Sequence, residues 1–304
     1  MARQPLTAAD VITGELAQNG NWVVACVDPQ FAWPTTTQKL IYRNVTVFVL
    51  PQFDDYYPSI AVKLGGTITT FEQAQVLILN LLSALSWVED RGALVEQWTG
   101  GNLPRPMAGF SRSGVRIMIT DHFAHHYLPD VADAQARWAL AFYREGMALH
   151  LPSYGFLSFY KIINIFQANG PNQKAWINAN IDAAVQRHRL GGAGEQLQQL
   201  RAAGTNIGDY LYESGRCAVA HAGHGPTVDP ESPADIKRLA QDMPLIKALA
   251  AFAIEDHFHI KSISTIYQEH FPHLLNEDSS LFCITATDQF GEVLWQHGKP
   301  HAGR

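Results

Sequence analysis

Two side chains separated by four residues carry the chemistry that this sequence offers most clearly. Arg216 and His221 stand in LYESGRCAVAHAGHGPTVDP, residues 211–230, with Cys217, Ala218, Val219 and Ala220 between them. An arginine presents a planar, permanently charged fork to phosphate oxygens, and a histidine exchanges a proton near neutral pH. Together they suit a phosphodiester. On a straight α-helix five residues turn the chain through a net angle of about 140°, so the pair does not share a face. Three arrangements would bring them together: a wrapped Arg216 side chain, an irregular helix near Gly215, or a composite site from two chains. The small Ala218 and Ala220 would suit a dimer seam.

Four further residues are candidates to support the pair. Glu213 lies one helical turn before Arg216 and could pair with it, in which case the motif would serve the fold alone. His221 could then cap the helix end. Cys217 follows the arginine, and His224 lies three positions beyond His221. Glu145 is the polar member of an apolar stripe and reads either as an arginine partner at the edge of the core or as support for Arg216.

Other clusters are weaker. Asp121, His122, His125 and His126 lack a second ligand group at metal-site spacing and read as a solvated linker. Glu255 and His259 share a helical face without an HExxH pattern, which reads as an exposed polar face. Walker, GxGxxG and GxSxG patterns are absent from the sequence. Cys26, Cys217 and Cys283 are odd in number and lack CxxC spacing, which fits reduced thiols in the cytoplasm better than a disulfide framework or a zinc ribbon. No cofactor or metal is expected.

The elements that must position the pair lie on both sides of it. Trp22–Val27, Lys39–Leu50 and Ser59–Leu64 are rich in β-branched and aromatic residues and predict strands, with Ala93–Thr99 and Val115–Thr120 as additions. Thr70 and Gln73 have capping-box spacing and open a helix over Phe71–Glu89. Its apolar residues wrap most of the circumference, so it is expected between the sheet and another layer. From Val131 the period is helical. Asp130 is the expected cap for a helix whose stripe is Trp138, Ala141, Phe142, Glu145 and Leu149. Further helices are expected after Pro152, over Asn172–Arg189, through Leu197 to Gly204, from Asn206, and from Ser232 to about His270 with a kink or break at Pro244. Leu281–Thr287 and Glu292–Trp295 flank a turn and predict a hairpin that packs on the helices or extends the sheet.

The chain has 304 residues, 47% of them hydrophobic and 11% aromatic, which bounds it to one or two globular domains. Lys and Arg number 22 against 28 acidic residues, a net charge of −6, so contact with RNA would be local rather than drawn by an overall basic field. The N-terminus lacks a secretory pattern, and the most apolar run, Val76–Val88, is short of a membrane span; no membrane partner is expected.

The string RCAVAHAG within a helical region resembles the R-x4-6-H signature of HEPN domains. YREGMALHLPSYGFLSFYKII, residues 143–163, and the combination of LYESGRCAVAHAG with VDPESPADIKRLAQDMPLI resemble the methylamine-utilisation protein MauJ family. The fold class expected is α+β: a small N-terminal mixed α/β domain over residues 1–128, a mainly antiparallel HEPN-like helical bundle over 129–275, and a C-terminal β-hairpin and tail over 276–304. The resemblance implies a homodimer through the bundle. It also implies a metal-independent endoribonuclease in which the 2′-hydroxyl attacks the adjacent phosphate, with Arg216 and His221 as the acting pair. The other reading is a non-catalytic interaction or accessory protein for methylamine utilisation, its N-terminal domain contacting a protein partner. Cys217 departs from the polar residue common after the arginine in the nucleases, and cysteine is a weaker donor.

Overall fold

The computed structural model describes residues 6–109, 118–123, 125, 127–188, 190–221, 227–270, 284–287 and 293–297. It is an α+β protein with an N-terminal antiparallel sheet and helices after it. After α1 (Ala8–Val11) and a 3-10 turn, the strands are β1 (Trp22–Pro29), β2 (Trp33–Pro34), β3 (Gln38–Tyr42), β4 (Val45–Leu50), β5 (Ser59–Lys63), β6 (Ala93–Gly101) and β7 (Ile119–Thr120). Five of them form a sheet in the order β3-β4-β5-β1-β6, and β2 pairs with β7 in parallel.

β1 is apolar without alternation because both of its faces are covered. Val23, Ala25 and Val27 meet Ala74, Leu77, Ile78, Leu81 and Leu82 of α2 (Phe71–Glu89). Trp22 and Val24 meet Val11, Leu16, Phe48 and Phe53 on the other side. α2 begins where the capping box predicts: Gln73 N donates to Thr70 Oγ1 at 3.2 Å, and Thr70 N donates to Gln73 Oε1 at 3.2 Å. Trp87 at its far end belongs to a second core, built by the later helices. α2 is long and apolar enough by composition to cross a membrane, but 56% of it is buried inside the protein, where the sheet and the later helices take up its apolar circumference.

Those helices are α3 (Ala134–Ala148), α4 (Pro152–Phe166), α5 (Gly170–His188), α6 (Ala193–Ala202), α7 (Ile207–Tyr210), a π-helical segment (Leu211–Cys217), α8 (Ala218–Ala220), α9 (Pro233–Asp256) and α10 (Ile263–His270). β8 (Ile284–Thr287) and β9 (Val293–His297) pair with each other in an antiparallel ladder and do not extend the five-stranded sheet. Residues 288–292, expected to turn between them, lie outside the described residues.

Several local expectations change. Lys39–Leu50 is two strands, turned at Arg43 and Asn44, whose φ angles of 53° and 62° give the left-handed pair that a tight hairpin needs. Asp133 caps α3, accepting from Ala136 N at 2.8 Å, while Asp130 pairs with Arg43 at 2.9 Å. The buried face of α3 is Ala136, Ala139, Leu140, Tyr143 and Gly146, which leaves Trp138 57% exposed. The small residues set that choice: a Cβ on Gly146 would stand 2.9 Å from the Phe159 ring, so α4 packs where α3 has least bulk. α9 continues through Pro244, and the break comes instead at residues 257–262, with His259 left-handed at φ 57°. The histidine-rich stretch is not a solvated linker, because Phe123 is buried in the first core and His125 Nε2 lies 3.3 Å from Glu89. His126 lies outside the described residues, as do residues 115–117 of the strand expected at Val115–Thr120.

The end of α3 closes onto the sheet side of the molecule. Gln30 Nε2 donates to Ala148 O at 3.0 Å, and Gly92 lies so near that a Cβ there would be 2.4 Å from the Ala148 Cα. Backbone cannot yield as a flexible side chain would. We predict that Gly92→Ala lowers stability by about 1–3 kcal/mol, seen as a shifted midpoint in urea unfolding with little change in slope.

Candidate functional site

Asn206 opens the segment that carries the pair, its side chain accepting from Asp209 N at 3.0 Å. The first turn is α-helical and the next two are not. Ala218 N donates to Glu213 O, five residues back, and to Gly215 O, three back. The α-helical bond to Ser214 O is therefore missing. π-turns of this kind insert an additional residue into a turn and displace the side chains that follow.

That displacement, with the chain leaving the helix at His221 (φ −124°, ψ 128°), brings Arg216 Nη1 to 3.4 Å from His221 Nε2. Of the three arrangements that could unite the pair, a single chain with an irregular helix suffices. Arginine has no acceptor, so the contact is a hydrogen bond when Nη1 donates, Nε2 accepts and the ring proton is on Nδ1. His221 is exposed and Arg216 half-buried, so the pair stands at the surface rather than inside the core.

Arg216 has no carboxylate partner among the described residues. Its Nη1 also lies 3.7 Å from Cys217 Sγ, its guanidinium carbon is 5.8 Å from the centre of the Tyr212 ring, and its Nε is buried without a hydrogen-bond partner. Glu213 does not pair with it. That carboxylate goes to Lys174 of α5 at 2.6 Å, where Asp209 also binds the ammonium at 3.0 Å.

Beneath the pair, Tyr160 is buried and donates to Gln173 Oε1 at 3.3 Å; burial pushes its phenol well above the ordinary range. Glu145 belongs to α3, which packs on α2, α4 and α9, and its charge acts on the neighbouring half-buried Arg144. It does not meet Arg216 in any described contact. His224 lies outside the described residues. Tyr212, Lys174 and Tyr160 escape a reading of the motif alone, although Tyr212 stands four residues before Arg216, a spacing that places ring and guanidinium together on a helix.

In the second polar cluster Asp256, His257 and His259 are exposed, as expected, and Glu255 is not. Glu255 is buried, accepts from Ser262 N at 2.8 Å, and lies 3.5 Å from His188 Nε2 and 3.7 Å from Arg187 Nη1. His257 stacks on Phe166 at 4.2 Å. Burial lowers the His188 pKa below its ordinary 6.5, against the opposing pull of the Glu255 carboxylate. Among the described residues, no three His, Cys, Asp or Glu side chains are grouped to hold a metal.

Residues 139–255, from within α3 almost to the end of α9, match the family model of the methylamine utilization protein MauJ. The matched span includes Arg216 and His221 and is less than half of the chain. No curated protein and no solved structure matches the sequence.

Two outcomes follow from this packing. A Cβ on Gly215 would lie 2.4 Å from Cζ of Phe156, which is itself fully buried. Gly215→Ala is expected to cost about 1–3 kcal/mol in chemical denaturation, with part of the loss recovered when Phe156→Leu is added. For His188, a depressed folded pKa means that the unfolded chain takes up the proton first, so stability is lost as pH falls below 6.5. Urea midpoints of the native protein should fall more between pH 8 and pH 5 than those of His188→Gln; equal falls would remove His188 from that dependence.

Proposed function

We propose that this chain is a HEPN-like protein of the MauJ type and that Arg216 and His221 form a metal-independent endoribonuclease site. The observation that carries the reading is the 3.4 Å approach of a guanidinium, without a carboxylate partner among the described residues, to a surface imidazole nitrogen. In the reaction proposed, His221 Nε2 removes the proton from a ribose 2′-hydroxyl, and the 2′-oxygen forms a bond to the adjacent phosphorus as the bond to the 5′-oxygen breaks. The imidazolium returns that proton to the departing 5′-oxygen. Arg216 balances the charge that develops on the non-bridging oxygens. The products are a 2′,3′-cyclic phosphate and a free 5′-hydroxyl.

The wider reading keeps the divisions 1–128, 129–275 and 276–304, with an antiparallel helical bundle in the second, a hairpin in the third, and a cytoplasmic homodimer through the bundle. A second reading takes its support from the family match and from Cys217, which gives the arginine only a weak sulfur neighbour. It makes the chain a non-catalytic accessory protein of methylamine utilisation, with a protein partner on the N-terminal domain.

Incubation of the purified chain with unstructured and structured RNA in chelator separates the two. Cleavage leaving cyclic phosphate ends, reduced at least 100-fold by Arg216→Ala and by His221→Ala, is the expected result. No cleavage by the native protein, or equal cleavage by both variants, sinks the nuclease reading. Copurification with methylamine dehydrogenase components, lost on removing the N-terminal domain, supports the accessory one.

A further inference from the structure

The missing helical bond at Ser214 has a replacement. In an unbroken α-helix Ser214 O would accept from Ala218 N, but that N–H is spent on Glu213 O and Gly215 O. A carbonyl displaced in this way and set against packed helices needs another donor. Arg238, on the second turn of α9, supplies it: Nη1 donates to Ser214 O at 2.9 Å.

The donor is itself held in place. Arg238 lies 3.6 Å from Asp235 and 3.7 Å from Asp242, one turn to either side on α9. Asp242 is fully buried, and its two oxygens are occupied by Gln196 Nε2 of α6 at 2.7 Å and by the Tyr210 hydroxyl at 2.8 Å. Tyr210 is the residue immediately before the π-segment and Ser214 is its midpoint, so α9 grips the segment at its entrance and at its centre. Gly215, the next residue, is pressed against Phe156 of α4. The turn is thus clamped between two helices, with one arginine occupying the acceptor that would otherwise draw the chain back to α-helical register.

We propose that Arg238 is a positioning residue, holding the π-turn that places Arg216 against His221. Its effect on turnover rests on the nuclease reading above; its effect on geometry does not. With Arg238 gone, Ser214 O takes back the Ala218 N–H, the turn loses its additional residue, and Arg216 rotates away from the imidazole.

The test reads the imidazole directly. In the full chain labelled with nitrogen-15 at histidine, the His221 ring signals are assigned through His221→Gln and then followed in Arg216→Met, Arg238→Met and Arg238→Lys. Arg238→Met should move the His221 signals in the direction seen for Arg216→Met, and Arg238→Lys, which keeps an N–H donor, should restore at least half of the native position. Gly92→Ala, destabilised at a distance from the pair, should leave them in place. If Arg238→Met does not fold, Arg238→Gln, whose amide is too short to span the same gap, takes its place in the comparison. Unmoved His221 signals in a folded Arg238 variant overturn the proposal, as does a movement of equal size in Gly92→Ala. Where the native chain cleaves RNA, Arg238→Met should cut the rate at least tenfold and Arg238→Lys less. If the native chain does not cleave, the nuclease reading fails while the ring signals still decide the role of Arg238.

Discussion

A helix that is apolar around most of its circumference cannot sit on the outside of a sheet, and α2 imposes that constraint on everything around it. One side of α2 seals the sheet through Leu77, Ile78, Leu81 and Leu82. Trp87 enters the helical core, where it meets the Tyr143 ring edge-on at 4.9 Å. At the end of α2, Asp90 takes a left-handed conformation and binds both the Tyr143 hydroxyl at 2.6 Å and Lys247 at 2.8 Å. Helices α3 and α9 are thereby fixed relative to the sheet. The face of α9 that reaches Ser214 is set by the same docking, so the environment of the Arg216–His221 pair inherits its position from a helix that does not touch it.

The pair itself depends on where hydrogen bonds fail to form. An α-helix over residues 211–221 would satisfy more of its own backbone and would separate the two side chains. Packing against Phe156 at Gly215 and the donation from Arg238 to Ser214 O shift that balance toward the π-turn. Local backbone energy is exchanged for side-chain contacts with two neighbouring helices, as is common where a side chain must be aimed.

The strands, the cap at Thr70, the start of α9 at Ser232 and the apolar wrap of α2 were legible because each has a local physical signature. Arg43-Asn44 concealed a hairpin because neither residue is glycine, so a turn with two left-handed residues looked like continuous strand. Asp130 and Asp133 are equally good caps in isolation, and the ion pair of Asp130 with Arg43 separates them. The stripe of α3 was misplaced because bulk suggested Trp138 as core, whereas Ala139 and Gly146 permit the closer helix approach. At the site, spacing showed that a regular helix could not unite Arg216 with His221. It could not show Arg238, whose partner is a backbone carbonyl, nor that Glu213 would turn to Lys174, since that pairing spans 39 residues.

The sheet order also bears on how the chain reaches its fold during synthesis. β1 precedes its partners in the chain and is an interior strand, lying between β5 and β6. Its neighbours emerge only with Ser59–Lys63 and Ala93–Gly101, and the helix that covers one face comes between them. Until then WVVACV is an unpaired apolar segment with both edges open, the kind of stretch that associates with other chains. Loop closure must bring residues tens of positions apart together before this surface is covered, and the delay prolongs its exposure.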